Sequence, residues 1–194
     1  SGSLLELKED VEAIELAKSL IDKSKYSFTN YLRVILERVY KYQIAFKTIL
    51  YDWADKGMFS SINAGFISLE KLYSTTGING LNEAGLFLGM TVGNNDEYKD
   101  FVALILNTIK EFNKQKTSDK FMLNLELVPA EALGVKNYNW DKADNYWVPN
   151  DRVLYNSYVY DAHDNTSVLD KIVLHGGKIA KSCDGGYLLA AFLW

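Results

Sequence analysis

The chain has 194 residues, 48% of them hydrophobic, and a formal net charge of −4. That apolar content suffices for a packed core and excludes a disordered chain, and the length fits one domain or a large part of one. The acidic balance excludes a general nucleic-acid surface, which needs clustered Lys and Arg, so no direct nucleic-acid binding is expected.

Residues 4–23 carry Leu4, Leu7, Val11, Ile14, Ala17 and Ile21 at helical spacing with charged residues between them, which predicts an amphipathic helix. A second helix is predicted to begin near Ser27 to Thr29, either of which can cap it. It runs through Leu32, Leu36, Val39, Phe46, Ile49 and Trp53 to a stop at Gly57. The period then changes. Gly65 to Leu69 and the run to Thr76 are short and β-branched, predicting a strand or a strand pair. Leu81 to Met90 reads as a short helix closed by Gly89 or Gly93. Asp96 can cap a longer helix that buries Phe101, Leu104, Ile105, Ile109 and Phe112 before the polar run from Asn113 to Lys120.

Phe121 to Val128 alternates as a strand, ended by Pro129, which cannot donate to a sheet ladder. Residues 134–150 read as an aromatic loop or lid, and Leu154 to Tyr160 and Ile172 to Leu174 as strands. Tyr187 to Trp194 reads as an apolar strand or helix start, expected to be buried against the chain's own core, a second copy or a complementary segment. The 13 Tyr, 9 Phe and 4 Trp predict aromatic core packing with hydroxyls at its rim, not a base-stacking platform. No repeat or low-complexity linker interrupts the chain. Ser1-Gly2-Ser3 reads as a cloning remnant, and residues 4–194 as a single α/β unit.

One cysteine, Cys183, excludes an internal disulfide framework and a thiolate zinc site, which makes a reduced, cytoplasmic setting the expectation. No apolar run reaches the roughly 18 to 20 residues that span a bilayer, so no membrane is expected as a partner. His163 and His175 have no Cys or Asp cluster at ligand spacing, and no metal is expected. Phosphate-loop, nucleophile-elbow and dinucleotide-binding motifs are absent.

Four segments carry chemistry. Tyr73-Ser74-Thr75-Thr76-Gly77-Ile78-Asn79-Gly80-Leu81-Asn82-Glu83-Ala84 joins a β-type run to a glycine turn and a helix start. Such a junction gathers backbone donors and polar side chains at a strand end, although it also serves as plain connection. Leu127-Val128-Pro129-Ala130-Glu131 follows a predicted strand, Tyr155-Asn156-Ser157 lies in a tyrosine-rich run, and His175-Gly176-Gly177 and Asp184-Gly185-Gly186 are late glycine pairs.

In this order the four segments resemble the anaerobic, glycyl-radical ribonucleoside-triphosphate reductases, over roughly residues 28 to 187. The Asn-Ser pair follows Leu154-Tyr155 where the family has Tyr-Thr. The resemblance implies part of a ten-stranded α/β barrel. There a cysteine thiyl radical on a central finger loop abstracts hydrogen from the ribose of a nucleoside triphosphate, yielding deoxyribonucleotides for DNA replication. It also implies a C-terminal glycyl radical, generated by an iron-sulfur activase with S-adenosylmethionine, a formate or thiol reductant, and a cysteine-rich zinc site. The segments matching the finger-loop cysteine, the glycyl motif and the zinc cysteines are expected before residue 4 and after Trp194. No catalytic set is therefore complete in this chain, no cofactor is assigned to its own residues, and Cys183 receives no radical role.

Substrate-binding residues are expected at Asn79, Asn82, Glu131, Asn156 and Ser157. Asn79 and Asn82 offer carboxamides that donate and accept at once, suiting sugar hydroxyls or phosphates; Asn also tolerates left-handed turns. Glu131 can accept from a ribose hydroxyl or cap the next turn, and the Pro-Ala-Glu resemblance favours the first. Asn156 and Ser157 need partners, from substrate or from backbone. Glu83 reads as a first-turn charge favoured by the helix dipole. The expected function is that of a reductase fragment inactive alone, partnered by nucleoside triphosphate, the activase and complementary segments or a second copy. A nucleotide-binding remnant or a structural assembly module without catalysis is the alternative.

Overall fold

A computed structural model of the protein describes residues 4–128, 131–156, 159–160 and 166–184, with backbone alone at 4–14, 17 and 131. Its first 52 residues of regular structure form one helix, α1 (Leu4–Asp55), where the sequence predicts two. The six residues from Ser24 to Thr29 contain neither Gly nor Pro. Thr29 satisfies its hydroxyl by donating to the Tyr26 carbonyl at 3.1 Å, so the supposed cap is absorbed into the helix. The stop at Gly57 is as predicted. Gly57 takes φ +77°, and Met58 N donates to Trp53 O at 3.0 Å, closing the end with a left-handed glycine.

A single turn, α2 (Ser60–Asn63), and a 3₁₀ turn at Leu69–Lys71 occupy the region predicted to start a strand; β1 is confined to Ser74–Ile78. Then come α3 (Leu81–Phe87), α4 (Asp96–Lys116), β2 (Leu123–Leu127), α5 (Glu131–Ala143), α6 (Val168–Leu174) and α7 (Ala180–Ser182), the last two joined by a π-helical segment at His175–Ile179. The cap of α4 is Asn95, one residue before the predicted Asp96. Its Oδ1 accepts from Tyr98 N at 2.9 Å, while Asp96 pairs with Lys99 at 2.9 Å.

β1 and β2 pair in parallel, Ser74 opposite Leu123 through Ile78 opposite Leu127, with α3 and α4 in the crossover. The described residues are thus mixed helix and sheet with two strands. Alternation in β2 buries Leu123, Leu125 and Leu127, and the last two join Val102, Leu106 and Ile109 of α4 in the core. α1 runs beside α4: Phe28 meets Phe101 at 6.5 Å between ring centroids, Arg33 pairs with Glu111 at 3.1 Å, and Tyr40 stands edge-on to Phe112 at 6.3 Å. Farther along, Gln43 donates to Thr75 O at 3.2 Å and the buried Lys47 donates to Leu72 O, so α1 also holds the entry to β1.

Three further expectations are corrected. Most of the predicted aromatic loop at 134–150 is α5, in which Gly134, Tyr138 and Asp141 recur on one face toward Tyr155. The described part of the predicted strand at 154–160 is not a strand, because Tyr155 N and Asn156 N donate to Gly134 O and to the Glu83 carboxylate, not to a ladder. Ile172 to Leu174 ends α6, which starts at the Ser167 cap; two β-branched residues are too short a run to separate strand from helix. Pro129, Ala130, Ser157, His163 and the tail from Tyr187 to Trp194 lie outside the described residues.

Candidate functional site

β1 ends at Ile78, and the chain turns through Asn79 and Gly80 into α3. Gly80 takes φ +79°, a left-handed conformation in which a side chain would be strained, and α3 begins at once. This turn is fastened to a distant segment: Gly80 N donates to Asn156 O at 2.9 Å, and Asn156 N donates to both Glu83 oxygens at 3.3 Å. Glu83 is 2% exposed and also accepts from Arg152 Nη1 at 3.3 Å, while Arg152 holds Asp151 at 2.6 Å. Burial raises the Glu83 carboxyl above its ordinary range, against the opposing pull of the Asn156 amide and the Arg152 guanidinium. Its role therefore exceeds a surface charge at a helix start.

α5 approaches from the other side. Gly134 lies so close to Tyr155 that a Cβ would collide with the Tyr155 carbonyl oxygen. Tyr155 stands edge-on to Tyr138 at 6.3 Å and donates its hydroxyl to Asp141 Oδ2 at 2.5 Å. Burial and the Asp141 carboxylate both raise the phenol's pKa, so Tyr155 stays protonated. Three stretches, 79–84, 134–141 and 152–156, thus meet around a cleft of about 560 Å³ at the C-terminal end of β1. Strand ends of this kind are where parallel α/β folds place their ligands.

Of the residues expected to bind substrate, Asn79 lines this cleft, and Asn156 is bonded to its floor through Gly80 and Glu83. Asn82 is 1% exposed beside them. Asn79 Nδ2 and both amide atoms of Asn82 are buried with no hydrogen-bond partner among the described residues. Glu131 opens α5, but its side chain, like Ser157, lies outside the described residues. Sequence reasoning did not single out Asp141, Tyr138 or Arg152. The i, i+4, i+7 spacing of Gly134, Tyr138 and Asp141 and the Asp151-Arg152 pair were the available signals.

Cys183 is buried away from this cleft, and burial together with Asp184 pushes its thiol up to about 11. Among the described residues no group of three His, Cys, Asp or Glu could hold a metal ion, so the zinc site implied by the resemblance does not fit them. No helix among them is long and apolar enough to cross a membrane.

The described residues thus form an α/β arrangement, a parallel strand pair with helices in its crossover, with a cleft at the C-terminal end of β1 bounded by carboxamides and carboxylates. The family model described as anaerobic ribonucleoside-triphosphate reductase matches residues 9–193, and the chain belongs to that family. Among solved structures it is similar to the anaerobic ribonucleotide reductase from Thermotoga maritima with dATP bound in the specificity site, at 24% identity and TM-score 0.74 over 85% of this chain and 29% of that one. It is similar also to the Thermotoga maritima enzyme in complex with dATP and CTP, at 24% and 0.74 over 84% and 28%. With MES in the active site the values are 25% and 0.75 over 85% and 28%. The chain spans less than a third of the length of these structures. No curated protein matches it.

Proposed function

We propose that the chain is a segment of the catalytic α/β barrel of a cytoplasmic anaerobic ribonucleoside-triphosphate reductase, and that its strand-end cleft contributes to the ribonucleotide site. The observation that carries this reading is Asn79. Its amide nitrogen is buried at the end of β1, in the lining of the cleft, with no partner among the described residues. An unmade hydrogen bond of this kind costs about 1–3 kcal/mol, which a sugar hydroxyl accepting from Asn79 recovers. Asn82 adds a second carboxamide, Gly80 brings backbone close, and the Glu83–Arg152 pair keeps the turn and Asn156 in fixed relation. Glu131 at the start of α5 and Ser157 complete the proposed substrate set.

A glycyl radical and a reactive cysteine carried by complementary segments would supply the radical chemistry at the ribose. This chain's part is to hold the ribose in register. Its lone cysteine, Cys183, packs in the core and does not line the cleft, so turnover requires complementary segments as well as the activase and S-adenosylmethionine.

Binding of ATP and CTP by wild type and Asn79→Ala, followed by equilibrium dialysis, tests the reading. Loss of one hydrogen bond to a buried donor should weaken both about tenfold with circular dichroism unchanged. Equal affinity in the two proteins would remove Asn79 from the site, and no binding by wild type would remove the site itself.

A further inference from the structure

Four aromatic rings stand around the same cleft where composition alone predicts buried packing. Phe87 is 62% exposed, Trp140 60%, Tyr146 68% and Trp147 43%, and all four line the cavity that Asn79 and Gly80 line. They are set in place by the fold. α5 closes on Asn145 in the left-handed conformation at φ +61°, and Tyr146 N donates back to Asp141 O at 2.8 Å, so Tyr146 and Trp147 are turned over the last turn of the helix that carries Trp140. Trp147 then rests against Phe87 of α3, ring centroids 5.6 Å apart and planes 55° apart. The wall therefore bridges α3 and α5, the two helices that flank the Asn79–Gly80 turn.

The charges in the cleft select which end of a nucleotide meets this wall. Its described lining contains no Lys or Arg and two carboxylates, Glu83 and Asp141, already engaged by Arg152 and by the Tyr155 hydroxyl. A triphosphate is repelled there, and a cation finds both carboxylates occupied. A neutral, flat ring system gains the exposed aromatic faces without displacing an existing bond. Asn137, beside Asn79 and the tyrosine hydroxyls in the lining, carries both a donor and an acceptor and can face either kind of group on a base edge.

We propose that the aromatic wall, chiefly Trp140 and Tyr146, holds the base of the ribonucleotide by stacking, while Asn79 and the Gly80 backbone hold the ribose. The proposal rests on the ribonucleotide reading of the cleft given above. Stacking on an aromatic face is open to every base, and discrimination by base would then have to come from residues outside this wall.

Titrations of the 194-residue chain with AMP, CMP and ribose 5-phosphate, by calorimetry, separate the two ideas. AMP and CMP should bind within about fivefold of one another, and ribose 5-phosphate at least about fivefold more weakly than AMP, the low end of what stacking one base on an aromatic ring contributes. Trp140→Ala with Tyr146→Ala should bring AMP down to the ribose 5-phosphate level and leave ribose 5-phosphate unchanged. Trp140→Phe with Tyr146→Phe should restore AMP, and Asn79→Ala should weaken all three ligands together. Equal binding of AMP and ribose 5-phosphate, or an aromatic double variant that binds AMP normally, overturns the wall and leaves the ribose site standing. Failure of all three to bind wild type overturns both.

Discussion

Glu83 should be the residue on which the architecture of the cleft depends most, and replacing it by Ala and by Gln separates shape from charge. The wild-type carboxylate is 2% exposed and accepts from Arg152 Nη1 and from Asn156 N, each at 3.3 Å. Glu83→Ala strands the Asn156 amide, deprives Arg152 of one of its two carboxylates among the described residues and opens a void. Breaking a buried ion pair costs about 3–5 kcal/mol, but Arg152 keeps Asp151 at 2.6 Å and the lost contacts are long, so about 2–3 kcal/mol is expected. Glu83→Gln keeps an acceptor of the same reach and removes a charge that burial disfavours, so it should cost under about 1 kcal/mol. Because the folded pKa is raised above 4.5, ionisation of Glu83 opposes folding: its favourable share is complete below about pH 4.5 and is lost as pH rises through the folded pKa. Wild type should accordingly lose stability relative to Glu83→Gln over that rise. Urea denaturation followed by tryptophan emission measures each quantity. If Ala and Gln prove equally costly, or Ala costs less than about 0.5 kcal/mol, the carboxylate does not hold residues 152–156 and the reasoning fails.

Gly134→Ala drives a methyl group into the Tyr155 carbonyl and should destabilise by about 1–3 kcal/mol, with loss of nucleotide binding; a neutral result in both assays would mean that α5 and Tyr155 separate freely. His175 is 2% exposed, and burial lowers its pKa below 6.5. The unfolded imidazole then protonates first, so its share of stability is complete above about pH 6.5 and is lost as pH falls toward the folded pKa. Urea midpoints at about pH 7.5 and pH 5.5 should show a smaller drop for His175→Gln than for wild type, and an equal drop would refute the assignment. The chain alone should form no deoxyribonucleotide when given activase, S-adenosylmethionine, formate and nucleoside triphosphate under anaerobic conditions, and turnover in that mixture would defeat the fragment reading.

β1, α3, α4 and β2 were legible because their local signals agreed with their packing: the glycine turn after Ile78, the Leu alternation in β2 and the buried stripe of α4 each say one thing. α5 was hidden by composition. Its Tyr138 and Trp140 and the aromatic run beyond it read as a lid, and only the i, i+4 relation of Gly134 to Tyr138 betrays the helix. Tyr155-Asn156 looked like strand because β propensity records side-chain shape, whereas the backbone bonds that decide the matter go to Gly134 and Glu83, 21 and 73 positions away. The same distance explains the site. Asn79 announces itself beside two glycines, but the clamps at Asp141 and Arg152 exist only once three remote stretches have met.

The length of α1 carries a consequence for how the protein opens. A helix of 52 residues is about 78 Å long, yet ring and ion-pair contacts with α4 begin at Phe28 and Arg33, and the described side chains from Glu15 to Phe28 are all exposed. One unbroken secondary-structure element therefore belongs to two thermodynamic regimes. Its latter part shares the fate of the core, whereas the stretch from Glu15 to Phe28, whose described side chains are in water, relies on its own backbone bonds, which are marginal for a segment of that size. Amide protons along α1 should exchange on a gradient, fast and locally near the beginning and only through global unfolding around Leu36, with the step falling where Phe28 first touches Phe101.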